Sequence, residues 1–177
     1  MNKIIKISLS IIIVFCTLFP YVNDTDKPDV FENVFSIGII GSAAIIILFF
    51  TAIGFYCMDL QRCLELIDPK NRKAKPQSVW YMFLLPYNFI EDFFIVINIS
   101  NSLEEEAKKN EKLANCNDFG MITGIGWSIA QILSFVPNLT GQIASILGLV
   151  LWIIHWRFII KMNRLLVSSR YLNISRK

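Results

Sequence analysis

Two adjacent carboxylates, Glu91 and Asp92, stand inside an otherwise apolar stretch, with Asn88 shortly before them and Asn98 shortly after. Ionisable groups in such a setting are expensive to bury and point by default to proton or cation handling. Carboxylate and carboxamide oxygens supply the ligands such a site needs. Neighbouring residues on a helix point about 100° apart, so Glu91 and Asp92 do not form a shared acid–base dyad by themselves. A structural role competes with the chemical one: both acids follow Pro86, where the start of a helix favours negative charge. His155, the single histidine, lies among Trp152, Trp156 and Arg157. There an imidazole can bond a neighbouring helix or sit at headgroup level. It completes the candidate polar or ion site of Asn88, Glu91, Asp92, Asn98 and His155. One histidine with scattered cysteines (Cys16, Cys57, Cys63, Cys116) offers no haem or metal ligand set, so no cofactor is expected. Cys57 and Cys63 lack CxxC spacing, and the even count does not imply a disulfide framework. No phosphate-cradling glycine loop, HExxH or nucleophile elbow occurs, and no enzyme is expected.

The elements that must position these residues are membrane helices. Of the 177 residues, 54% are hydrophobic and 18% charged, where a soluble domain is nearer a quarter charged. A helix crosses the hydrocarbon core with about 20 apolar residues. Four stretches qualify, at 4–20, 36–58, 119–137 and 140–160, and a fifth, 78–99, competes but carries Pro86 and the acids. The first has a basic start at Lys3 and Lys6 but no small-residue cleavage site after it, so it is expected to be a retained helix.

Basic residues accumulate on the cytoplasmic side of a membrane. With five crossings and an inside amino terminus, seven lysines and arginines lie inside and ten outside, which is no preference. With 78–99 kept from crossing, Lys27 alone of the 17 lies outside, and its loop is acidic (Asp24, Asp26, Asp29, Glu32). The fold expected is an all-α membrane protein, a single domain over 1–177. It has four transmembrane helices in two hairpins, both termini cytoplasmic. A cytoplasmic-side re-entrant or interfacial segment at 78–99 runs into a solvated helix at 100–114. Pro86 favours a break there, and irregular backbone at membrane depth must be covered by protein or line a wet cavity.

Span two is expected to continue through Leu60, Cys63, Leu64 and Ile67 until Asp68-Pro69 stops it. A long helix should run from Tyr87 to about Lys112, with Glu104–Lys108 and Glu105–Lys109 pairs near its end. Lys70, Arg72, Lys73 and Lys75 in the loop after span two, with Arg164 and Arg170 near the carboxyl terminus, are candidate contacts for anionic lipid or a partner. Gly120 and Gly124, and Ala144 and Gly148, are spaced for close helix packing, within the chain or against another subunit.

The run from Asn71 to Ile90 has an Asn-Arg, a Pro, a Val-Trp and then an apolar Leu-x-Pro-x-Asn turn. With Ser102-Leu103-Glu104 and the closing Trp152-Ile-Ile-His-Trp156, it resembles a pattern in uncharacterised small multi-pass bacterial inner-membrane proteins. The resemblance implies that location and carries no activity or transferable site. The leading expectation is a non-enzymatic accessory or scaffold subunit of a larger membrane assembly, with lipids and other membrane proteins or a second copy as partners, and no nucleic acid. A small oligomeric transporter or channel using Glu91 and Asp92 is the alternative. A lipid-modifying enzyme with a pocket of Arg72, Asn88, Glu91 and His155 at the cytoplasmic face is the weaker one.

Overall fold

The computed structural model describes residues 3–23, 38–84, 87–110, 112–114, 116, 118–136 and 138–175, with backbone only at 3, 14, 16–23 and 171–175. The acidic loop with Lys27, Pro86, expected to break the 78–99 segment, and Pro137, the last residue of the 119–137 stretch, lie outside the described residues. All regular structure among the described residues is helical: α1 (Lys3–Asn23), α2 (Ile39–Leu66), a 3-10 helix (Pro76–Phe83), α3 (Asn88–Ala107), α4 (Met121–Leu133) and α5 (Leu139–Ser175).

Helices α2 and α5 are long and apolar enough to cross a membrane. At 28 and 37 residues they reach roughly 42 and 55 Å, well beyond a hydrocarbon core of about 30 Å. The apolar stretches Ile4–Ile13 and Met121–Leu133 are shorter. Helix α4, expected over 119–137, is 13 residues long, about 20 Å, because Gly120 takes a left-handed conformation (φ 82°) at its start and 134–136 turn tightly into α5.

The two long helices run parallel and are bonded at matching heights. Tyr56 meets His155. Asp59 receives Trp156 Nε1 at 2.7 Å on its carboxylate and Asn163 Nδ2 at 2.9 Å on its carbonyl. Arg170 donates to the carbonyls of Glu65 and Leu66. A helix ends with unsatisfied carbonyls and partial negative charge, and α2 collects two guanidiniums there. Arg72 adds bonds to the carbonyls of Ile67 and Glu65, both at 2.9 Å.

After α2 the chain doubles back. Trp80 bonds Gln61, Cys57 reaches the Val79 carbonyl, and Phe83 stacks on Phe50. The 3-10 helix therefore descends along α2 from the height of Gln61 to that of Phe50. Helix α3 returns, and Glu106 near its end accepts from Asp68 N and Asn71 Nδ2. Helix α4 lies antiparallel to α3, with Phe89 against Phe135 at one end and Val96 against Gly124 at the other.

Apolar side chains are exposed and buried at opposite ends. Ile40, Ile47, Leu48, Phe49, Ile122, Ile146 and Leu147 are exposed. Beyond Asp59 the apolar residues Leu60, Leu64, Ile99, Leu103, Ile159, Met162 and Leu166 are fully buried. That end packs its apolar residues inward; the other exposes many large apolar side chains, a surface of the kind that marks a protein or membrane contact.

Helix α3 stops at Ala107, short of Lys112. Lys108 and Lys109 thus fall past the helical register. Glu105 pairs with Lys108 at 3.1 Å and Lys73 at 3.7 Å, and Lys109 reaches Asn71 instead. Lys108, then Lys73, hold the Glu105 carboxyl below its usual range.

The small residues pack within the chain. A Cβ on Gly124 would lie 2.4 Å from Val96 Cγ1, and one on Gly148 would lie 3.3 Å from Ala130 Cβ. Gly124→Leu should therefore lower stability by about 1–3 kcal/mol, read as an earlier thermal transition in mild detergent. Gly54→Ala, whose Cβ would meet only Phe83 at 4.0 Å, should not lower it and should raise it by up to about 1 kcal/mol through helix propensity.

Candidate functional site

The site lies at the tip of the folded-back segment, where α3 begins. The amide of Asn88 bonds the carbonyl of Leu84, and the amides of Ile90 and Glu91 bond that of Tyr87. The first turn is thus satisfied by the chain itself, as backbone in an apolar setting requires.

Above this turn, between α2, α4 and α5, is a cavity of about 370 Å³, in the size range of small-molecule sites. Its walls include Phe49, Ile53, Tyr56, Trp127, Trp152, Ala144, Gly148 and Leu149, and its polar groups include Asn88, Asp92, Gln131, Ser134 and Ser145. Phe49 and Leu149 are both 53% exposed, so the cavity opens sideways past the same apolar surface that the outer faces of α2 and α5 present.

Glu91 and Asp92 part company here, as their helical spacing requires. Glu91 turns to α1 and takes Lys6 Nζ at 2.6 Å, while the same ammonium lies 4.1 Å from the centroid of the Phe94 ring. Asp92 turns to the cavity. It is 2% exposed and Asn88 6%. Asp92 Oδ1 and Asn88 Oδ1 have no hydrogen-bond partner among the described residues. Buried polar atoms are nearly always bonded, so these oxygens are exceptions in need of a reason, as are Trp127 Nε1 of the cavity wall and Asn163 Oδ1 further along α5.

Behind the cavity wall, Tyr56 Oη lies 2.7 Å from His155 Nδ1. The Tyr56 ring is met edge-on by Trp127, Trp152, His155 and Trp156, with centroids 5.7–6.2 Å away. His155 Nε2 faces the Gly120 and Gly124 positions. The imidazole is held within the bundle rather than among headgroups.

The structure thus brings together Asn88 and Asp92, places His155 one residue behind them, and turns Glu91 away. Asn98 is half-buried off the cavity, its carbonyl taken by Ser102. Arg72 lies on the α2 carbonyls, so Arg72, Asn88, Glu91 and His155 do not converge. Of the candidate surface cations, Arg72 and Arg170 cap α2 and Lys73 pairs with Glu105. Lys70, Lys75 and Arg164 are exposed. Residue type and spacing do not single out Tyr56, Trp127 and Gln131, and they mark Trp152 only as a neighbour of His155. A tyrosine in an apolar span is a signal, because its hydroxyl needs a partner; the tryptophans pass for an interfacial belt.

Comparison with protein-family models, curated proteins and solved structures finds no match to this chain.

Removing one partner of a buried ion pair leaves the other charge uncompensated, at a cost of about 3–5 kcal/mol. Lys6→Met should therefore destabilise the protein by roughly 3 kcal/mol, seen as a lower melting temperature in detergent. Combining it with Glu91→Gln should restore most of the loss. Equal melting of the single and double variants would exclude this pairing.

Proposed function

We propose that this chain is a multi-pass membrane carrier, with the Asn88–Asp92 cavity as its binding site. The observation that carries the proposal is a buried acid and amide, both with unpartnered oxygens, facing a cavity that opens sideways between two helices long enough to cross a membrane. In this reading α1, α2 and α5 cross, and α4 together with the non-helical residues on either side of it completes the second hairpin, with both termini in the cytoplasm. The 3-10 helix and α3 enter from the cytoplasmic side and return to it. The burial of apolar residues beyond Asp59 supports a water-facing cytoplasmic end, and the distribution of basic residues supports the orientation. A bacterial inner membrane is the location that the sequence resemblance supports.

The accessory-subunit reading draws support from the outer faces of α2 and α5, which no described helix covers. Native mass spectrometry after mild extraction addresses it: a chain that is monomeric and alone in every detergent tested counts against that role.

Reporter fusions after Leu103 and Arg164 should both report the cytoplasm; either one reporting the outside overturns the non-crossing hairpin. In proteoliposomes with an imposed pH gradient, the wild-type chain should discharge the gradient in the presence of potassium, sodium or an organic cation, and Asp92→Asn should abolish this. If no condition separates wild type from Asp92→Asn, the carrier reading fails.

A further inference from the structure

The cavity combines one buried carboxyl with aromatic side chains from three helices, and that combination has a chemical meaning. Glu91 is neutralised by Lys6 at 2.6 Å, whereas Asp92 has no ion pair among the described residues. Phe49, Tyr56, Trp127 and Trp152 line the same space. Aromatic faces attract cations, most strongly where water is excluded. A buried acid is tolerated either by keeping its proton or by gaining a counter-cation. The apolar rim at Phe49 and Leu149 admits what is dissolved in the bilayer and would resist a hydrated inorganic ion. We propose that the Asp92 cavity binds a lipophilic organic cation, an ammonium or phosphonium with apolar substituents, its charge facing Asp92 and Asn88 Oδ1 and its body among the rings.

This deepens the carrier reading and rests on the same cavity. It also fixes a proton balance. Asp92 is 2% exposed with no cation beside it among the described residues, and burial without a counter-charge favours the protonated carboxyl in the unliganded site. Binding the cation releases that proton and leaves a carboxylate–cation pair. The titratable neighbours are Glu91 on α3 with Lys6 of α1 upon it, Tyr56 and Cys57 from α2, and His155 of α5 behind Tyr56. The 3-10 helix contributes Met82 and α4 contributes Trp127 and Gln131, none of which titrates. Asp92 is thus the group whose ionisation the cation couples to most directly. Because a proton competes with the cation, affinity rises with pH, by up to about tenfold per unit below the carboxyl's pKa.

The test is calorimetric titration of the full chain in mild detergent with methyltriphenylphosphonium, and with triphenylphosphine oxide as the uncharged compound of similar shape. The wild type should bind the phosphonium, more tightly at higher pH, with one proton released per cation as read from the buffer dependence of the heat. The oxide should bind at least about tenfold more weakly and without pH dependence. Asp92→Asn should lose roughly thirtyfold or more in phosphonium affinity, the loss expected when one member of a buried charge pair is removed, and Asn98→Ala, off the cavity, should bind as wild type does. The proposal is overturned if the phosphonium does not bind, if its binding is indifferent to pH, or if the oxide binds as well; these readouts use the wild-type chain and do not depend on any variant folding. Asp92-dependent discharge of a gradient by potassium or sodium, with no phosphonium binding, would remove the organic-cation assignment and leave the carrier reading standing. Phosphonium binding without any flux would do the reverse.

Discussion

The parallel seam between α2 and α5 is the contact on which the other elements depend. It is closed by unlike bonds at successive heights: Tyr56 to His155, Asp59 to Trp156 and Asn163, and Arg170 to the last carbonyls of α2. Each is a polar group with a specific partner, and the Tyr56–His155 pair is fully buried, where a mispaired group is costly. The seam therefore has one register. Fixing that register sets the height of Tyr56, and Tyr56 is both the hub of the aromatic cluster and a wall of the cavity. Two parallel helices need other elements between them, and α4 and the folded-back segment supply those.

The folded-back segment solves a backbone problem and creates an electrostatic one. Its carbonyls at Leu84 and Tyr87 satisfy the first amides of α3, so the turn can sit against apolar helices. The turn brings two acids with it. Lys6 resolves one of them from the neighbouring α1, and the Phe94 ring beneath the ammonium adds to its retention. The second acid is left to the cavity. This division of labour between adjacent carboxylates gives them separate roles: one holds α1 to α3, the other faces a space.

Much of the helical framework was legible in the sequence. Apolar runs predicted α2 and α5, and Asp68-Pro69 predicted the end of α2, because length, hydropathy and a missing amide act locally. Helix spacing alone implied that Glu91 and Asp92 would point to different surroundings. The charges at 104–109 were read less well, since a four-residue pairing rule assumes a helix that continues, and α3 ends at Ala107. The short α4 was likewise hidden: nothing in a continuous apolar run announces that Gly120 will adopt φ 82°.

The site itself was half legible. Asn88 and Asp92 stand out because polar residues in an apolar run are rare and expensive. Which acid would be neutralised depended on where α1 came to lie, a contact across 85 residues of sequence. Arg72 and Arg170 read as surface cations and act as caps: Arg72 folds back on carbonyls five and seven residues before it, whereas Arg170 reaches the same helix end from more than 100 residues away, a contact only the tertiary fold makes. The aromatic walls were invisible for the same reason: Tyr56, Trp127 and Trp152 come from three helices, and only the register of α2 on α5 turns them towards one carboxyl. Residue type and spacing alone determined where the long apolar helices lie and that burying the acids is costly, since hydropathy and charge are local properties. The tertiary structure decided which acid is paired and which is exposed to a cavity, since Coulombic and packing energies depend on distances the chain does not set until it folds.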